Sequence, residues 1–153
     1  MLRIPWLKSI GSVFLSALFM VLAHPPYHIW LLAWVALVPF FFVIEGQSIR
    51  RAFWLGYVFG LFYCFGMFWW FVHVTLPGMI LFNTSLAVYF ALFAATSVVL
   101  ARRPLIWRCL LVACAWVAWE FARANLLSGF GWAAFGHTQY QHIPMIQIAD
   151  MTG

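Results

Sequence analysis

Charge is what this chain has least of. Only 7% of its 153 residues are charged, and the acidic ones number three, Glu45, Glu120 and Asp150. With 67% hydrophobic and 21% aromatic residues and a mean hydropathy of +0.99, a soluble domain is excluded, because a chain of this length cannot bury so much apolar surface. What remains is an all-α membrane protein, a polytopic transmembrane helix bundle. Cysteine is also scarce. Cys64, Cys109 and Cys114 sit in apolar surroundings without Cys-x-x-Cys spacing, so they imply no disulfide framework, and with no neighbouring base none is a candidate nucleophile. There is no Gly-x-Ser-x-Gly around Ser128 and no phosphate loop. His24 and His28 stand four apart, but Pro25 and Pro26 between them oppose a continuous helix. His137 and His142 lack carboxylate or thiolate neighbours at ligand spacing, and His73 reads as an interfacial polar residue. No metal and no cofactor is expected.

The formal net charge of +5 comes from short basic doublets between apolar runs. No continuous basic stripe exists, which argues against nucleic acid and for anionic lipid headgroups as the partner. Proline, histidine and these basic clusters divide the chain into about five apolar segments, at 9–23, 29–44, 52–76, 79–101 and 105–121. The first rises only about 22 Å, so Lys8 must snorkel or the helix must begin earlier. Val21-Leu22-Ala23 resembles a signal-peptide cleavage site, but the prolines directly beyond it and the later apolar segments favour an uncleaved helix. Gly56-x-x-x-Gly60 predicts close approach of another helix to the third segment, while Trp69 and Trp70 fit an interfacial belt. If the segments alternate, Arg3, Lys8, Arg50, Arg51, Arg102, Arg103 and Arg108 share one side and Arg123 lies on the other. The positive-inside rule then makes the N-terminus cytoplasmic and the Glu120 end external.

Glu120 is the only acidic residue inside an apolar run, and an ionised carboxylate in hydrocarbon must face a partner, a cavity or the membrane surface. Arg123, three residues on, shares its helix face and can supply the counter-charge. Residues 124–144 are too glycine-rich and polar for a lipid-facing span and read as a surface or re-entrant loop. Candidate lipid- or substrate-facing residues are Glu120, Arg123, Trp132 and Gln139. Each has a structural alternative: Glu120 with Arg123 as a fold-stabilising pair, Trp132 as an interfacial anchor, Gln139 as a partner for loop backbone. From Ile143 the chain turns apolar again and closes at Met151-Thr152-Gly153, the start of a sixth helix and the pattern expected of a truncated chain.

Trp119-Glu120-Phe121-Ala122-Arg123, Leu127-Ser128-Gly129-Phe130-Gly131-Trp132, Gly136-His137-Thr138-Gln139 and Gln147-Ile148-Ala149-Asp150-Met151-Thr152-Gly153 together resemble the membrane portion of the apolipoprotein N-acyltransferases. Pro25-Pro26-Tyr27-His28-Ile29-Trp30, Ala33-Trp34-Val35-Ala36-Leu37-Val38-Pro39 and Arg51-Ala52-Phe53-Trp54-Leu55-Gly56-Tyr57-Val58-Phe59-Gly60 follow the family's order, so the resemblance covers the whole chain. Gly131 stands where the family usually has proline and His137 where it has tyrosine. The first change loosens the loop, and the second places a titratable ring near the surface.

The resemblance implies an enzyme of the bacterial inner membrane that takes an acyl chain from a phospholipid, holds it as a cysteine thioester, and transfers it to the diacylglyceryl-cysteine of an apolipoprotein. It implies eight membrane helices and a nitrilase-like domain carrying the catalytic Glu, Lys and Cys. No residue here matches that set, so no catalytic residue is expected in this chain, and the catalytic domain would act in cis or in trans. Two other classes remain open: a catalytically inert membrane scaffold or binding paralogue, and a small transporter component with Glu120 as its intramembrane charge.

Overall fold

The computed structural model describes residues 6–126 and 129–147, and among them there are helices and turns but no strand. Helix α1 spans Trp6–Ala23, α2 Val38–Ile44, α3 Ile49–Met67, α4 Leu76–Leu100, α5 Leu105–Asn125 and α6 Ile143–Ile146. Three short 3-10 turns, Trp30–Trp34, Trp69–His73 and Phe135–Gln139, link them. Helices α1, α4 and α5 are long and apolar enough to cross a membrane.

Local chemistry fixes the helix starts. Ser48 caps α3 by accepting the Arg51 N–H at 3.3 Å, and Thr75 caps α4 by accepting the Gly78 N–H at 3.0 Å, with Pro77 in the first turn. The second apolar segment differs from the single helix its hydropathy suggests. Pro39 lacks an N–H and its ring clashes with the carbonyl four residues back, at Val35, so the segment breaks into the Trp30–Trp34 turn and α2. One N–H freed at the start of α2, that of Phe40, is bound by the Ser16 hydroxyl of α1 at 2.8 Å. The third segment is also shorter than expected. It ends at Met67, and the Trp69–His73 turn follows before the Thr75 cap and Pro77 open a new helix.

Helices α1 and α3 run parallel. Near their starts the Arg51 guanidinium reaches Ser9 Oγ at 3.4 Å and lies 5.0 Å from the Trp6 ring centroid; near their ends His24 meets Tyr63 at 3.4 Å. The broken segment therefore returns antiparallel between them. Helix α4 then packs antiparallel on α3 through the glycine pair: a Cβ on Gly56 would lie 2.5 Å from the Ala94 Cβ, and one on Gly60 would lie 2.8 Å from the Ala87 Cα. The expected small-residue contact is there, with Ala87, Ala91 and Ala94 as its other side. Phe40, Phe59, Tyr63 and Phe90 fill the core beside this seam, and Phe59 stacks on Tyr63. Helix α5 packs on the flank of this core through Val112, Ala115, Trp116 and Trp119, and the one residue it buries fully is Arg123.

Candidate functional site

The end of the bundle where α1 and α3 finish and α5 runs out is covered by residues 129–139. This is irregular chain, and irregular backbone beside apolar helices needs internal partners for its polar groups. Four consecutive residues meet side chains from α3, α5 and the end of α1. Arg123 Nη1 donates to the Trp132 carbonyl at 2.8 Å, the Tyr63 hydroxyl donates to the Ala133 carbonyl at 3.0 Å, and His24 Nε2 lies 3.3 Å from the Ala134 carbonyl. The Phe135 N–H then donates to Glu120 Oε1 at 2.7 Å. Arg123 and Tyr63 donate to carbonyls and the carboxylate accepts an N–H, so the signs match at these three contacts, while His24 sets its Nε2 edge beside the Ala134 carbonyl.

The strip is also held by its ends and its rings. Gly129 turns the chain at φ +65°, where a Cβ would lie 2.6 Å from the Ala124 carbonyl oxygen, and the Phe130 N–H bonds back to the Arg123 carbonyl at 2.9 Å. The Phe130 ring enters an aromatic nest, 4.7 Å from Phe82 and 5.1 Å from Phe68, and Phe135 packs 5.6 Å from Trp116. Gln139 Nε2 donates to the Trp30 carbonyl at 3.3 Å, tying the strip to the broken second segment. His28 and Tyr140 add a contact of 3.0 Å between ring nitrogen and hydroxyl.

Three of the four sequence candidates, Glu120, Arg123 and Trp132, meet here; Gln139 joins from the far end of the same strip. Glu120 and Arg123 do share a helix face, but they do not form the ion pair that their spacing suggested. Among the described residues the one ion pair within 4.0 Å is Arg108–Glu45, at the opposite end of the bundle. Each of the two charges is spent on a different backbone group of the strip instead. Arg123 is 3% exposed, and the space beside Glu120 and Arg123, lined by Tyr89, Phe93 and Trp119, amounts to about 10 Å³, room for one water. Trp132 alone of the four turns outward, 61% exposed and 6.1 Å from Trp70.

His24 and Tyr63 were not among the candidates. Tyr63 follows Gly56 and Gly60 on one α3 face, so a polar tip on the packing stripe was a readable signal. His24 closes α1 by donating from Nδ1 to the Met20 carbonyl at 2.8 Å. Burial pushes its imidazole below the usual 6.5, outweighing the two carbonyls that favour the charged ring. Among the described residues no three His, Cys, Asp or Glu side chains gather as metal ligands.

The family model for the apolipoprotein N-acyltransferase N-terminal domain matches residues 16–153. The chain belongs to the apolipoprotein N-acyltransferase family. An apolipoprotein N-acyltransferase of Geobacter metallireducens is 37% identical over 158 residues, which cover 91% of this chain and 29% of that relative. One from Vibrio vulnificus is 30% identical over 159 residues, which cover 95% of this chain and 31% of that relative. The chain thus spans about three tenths of the length of the curated relatives it matches. Of the motif residues that carried the resemblance, Glu120 and Arg123 clamp the strip, and Gly129–Trp132 and Gly136–Gln139 belong to it; Leu127, Ser128 and the 148–153 stretch lie outside the described residues.

Proposed function

We propose that this chain is the membrane platform of an apolipoprotein N-acyltransferase, and that the clamped strip is the face it offers to the transfer reaction. The observation that carries this reading is the side-chain clamp on residues 132–135, in which Glu120 and Arg123 come from the motifs that carried the resemblance. In this reading Glu120, Arg123 and Gln139 position the strip and Trp132 meets lipid. The substrates are a phospholipid acyl donor and a diacylated apolipoprotein. Acyl transfer needs an activated nucleophile, which a nitrilase-like domain outside this chain supplies, in cis or in trans. In this reading the strip faces the outer side of the bacterial inner membrane and the N-terminus is cytoplasmic, which the distribution of arginines favours.

A transporter reading is less well supported. It would need a wet path to Glu120, whereas the carboxylate holds a backbone N–H beside a space of about 10 Å³.

The test is a chimera in which this chain replaces the matching stretch of the Geobacter metallireducens relative, assayed for N-acylation of a diacylated lipopeptide in phospholipid vesicles. The chimera is expected to transfer acyl chains and this chain alone to transfer none. A folded but inactive chimera, beside an active parent, would overturn the platform reading.

A further inference from the structure

Helix α5 leaves a groove of about 730 Å³ between itself and the α2–α4 wall. Its sides are Phe41, Phe93, Val98, Val112 and Trp116, its mouth holds the Glu45–Arg108 pair, and its far end closes under Phe135. From Arg108 to Trp116 the groove follows α5 for about 12 Å. Charge is graded along it. Ala101 and Leu105 line the mouth, and the exposed Arg102 and Arg103 stand between them in the α4–α5 turn, so with Arg108 this end carries three arginines against one carboxylate; beyond the mouth the walls are mostly apolar.

We infer that this groove holds one anionic phospholipid, its phosphate among Arg102, Arg103 and Arg108 and an acyl chain running along α5 to Phe135. A phospholipid brings the two things the groove lacks, negative charge at the mouth and a flexible apolar filling beyond it. A second copy of this chain suits the site poorly, because it carries eight basic residues against three acidic ones. Of those three, Glu45 already binds Arg108 and Glu120 already binds the Phe135 N–H. The bound lipid is not an acyl donor for the strip. Its ester groups sit at the arginine end and only the tail of its chain reaches Phe135, so it is a resident lipid that supports the strip from beneath. The inference stands apart from the proposed function, since lipid retention is measured without any transfer.

The experiment is native mass spectrometry on this chain, purified in mild detergent from bilayers of equal parts phosphatidylglycerol and phosphatidylethanolamine. The wild-type monomer is expected to retain one phospholipid, enriched in phosphatidylglycerol. Ala113→Trp, at an exposed position on the groove wall, should fill the space and lose the lipid. Arg102→Gln with Arg103→Gln should retain a lipid but lose the preference for phosphatidylglycerol by about fivefold or more. A wild-type monomer without lipid, an Ala113→Trp variant that keeps it, or a preference unmoved in the arginine variant would each overturn the inference. So would a wild-type dimer that Ala113→Trp dissociates, because the groove would then be covered by protein. Should Ala113→Trp fail to fold, the arginine variant, altered only at exposed side chains, decides.

Discussion

At the residue scale, Glu120 and Arg123 act separately, and that changes what mutation should do. A mutual ion pair predicts that neutralising both recovers what neutralising one loses. Two charges bound to different backbone groups predict no such recovery. Arg123→Gln strands the Trp132 carbonyl and should cost about 1.5–3 kcal/mol. Glu120→Gln keeps an oxygen for the Phe135 N–H and should cost less, and the double variant should be no more stable than Arg123→Gln alone. Thermal unfolding in detergent checks this, and recovery in the double variant would restore the ion-pair reading. His24 gives the pH dependence. Its folded pKa lies below the 6.5 of a free imidazole, so the unfolded chain binds the proton first as pH falls. Its contribution is complete above about 6.5 and is lost as pH drops through that value toward the folded one. Unfolding midpoints should therefore fall from pH 7.5 to pH 5.5 in wild type and fall less in His24→Gln.

At the element scale, the packing seam and the broken helix make opposite demands. Gly56 and Gly60 exist for want of a Cβ, which at Gly56 would meet Ala94 at 2.5 Å and the Phe90 carbonyl oxygen at 2.6 Å. Gly56→Ala should destabilise by at least about 1–3 kcal/mol, since the clash is partly with backbone. Ser16→Ala should cost about 1–2 kcal/mol by leaving the Phe40 N–H of α2 unbonded in the bundle interior. If either variant unfolds at the wild-type midpoint, that contact has been misread. These elements were unequally legible. The glycine spacing pointed to a close helix contact on the third segment, and prolines and basic clusters marked breaks between segments, but the Thr75 cap lay unread inside the third segment. Hydropathy alone could not show that Pro39 breaks the second segment while a hydroxyl on another helix receives the freed N–H. Nor could it show the clamp: Glu120 and Arg123 drew notice as buried charges, but Tyr63 and His24 reach the strip only through the parallel packing of α1 and α3, across separations of 70 and 110 residues.

At the scale of the whole molecule, the arginines divide the bundle into a basic end and a clamped end. A reporter active only outside the cytoplasm should work when fused after Arg123 and fail when fused after Arg103; the reverse pattern would place the strip on the cytoplasmic side. Family membership was readable from short motifs in order, and the structure adds a physical role for them, the ordering of irregular chain against a helical bundle. The claim that this ordering serves acyl transfer is tested most directly in the chimera by Tyr63→Phe, which deletes one hydroxyl and its bond to the Ala133 carbonyl. With folded yield held at the wild-type level, N-acylation of the diacylated lipopeptide should fall about tenfold or more, because a displaced strip misplaces what it presents. Undiminished transfer by a folded Tyr63→Phe chimera would contradict the account.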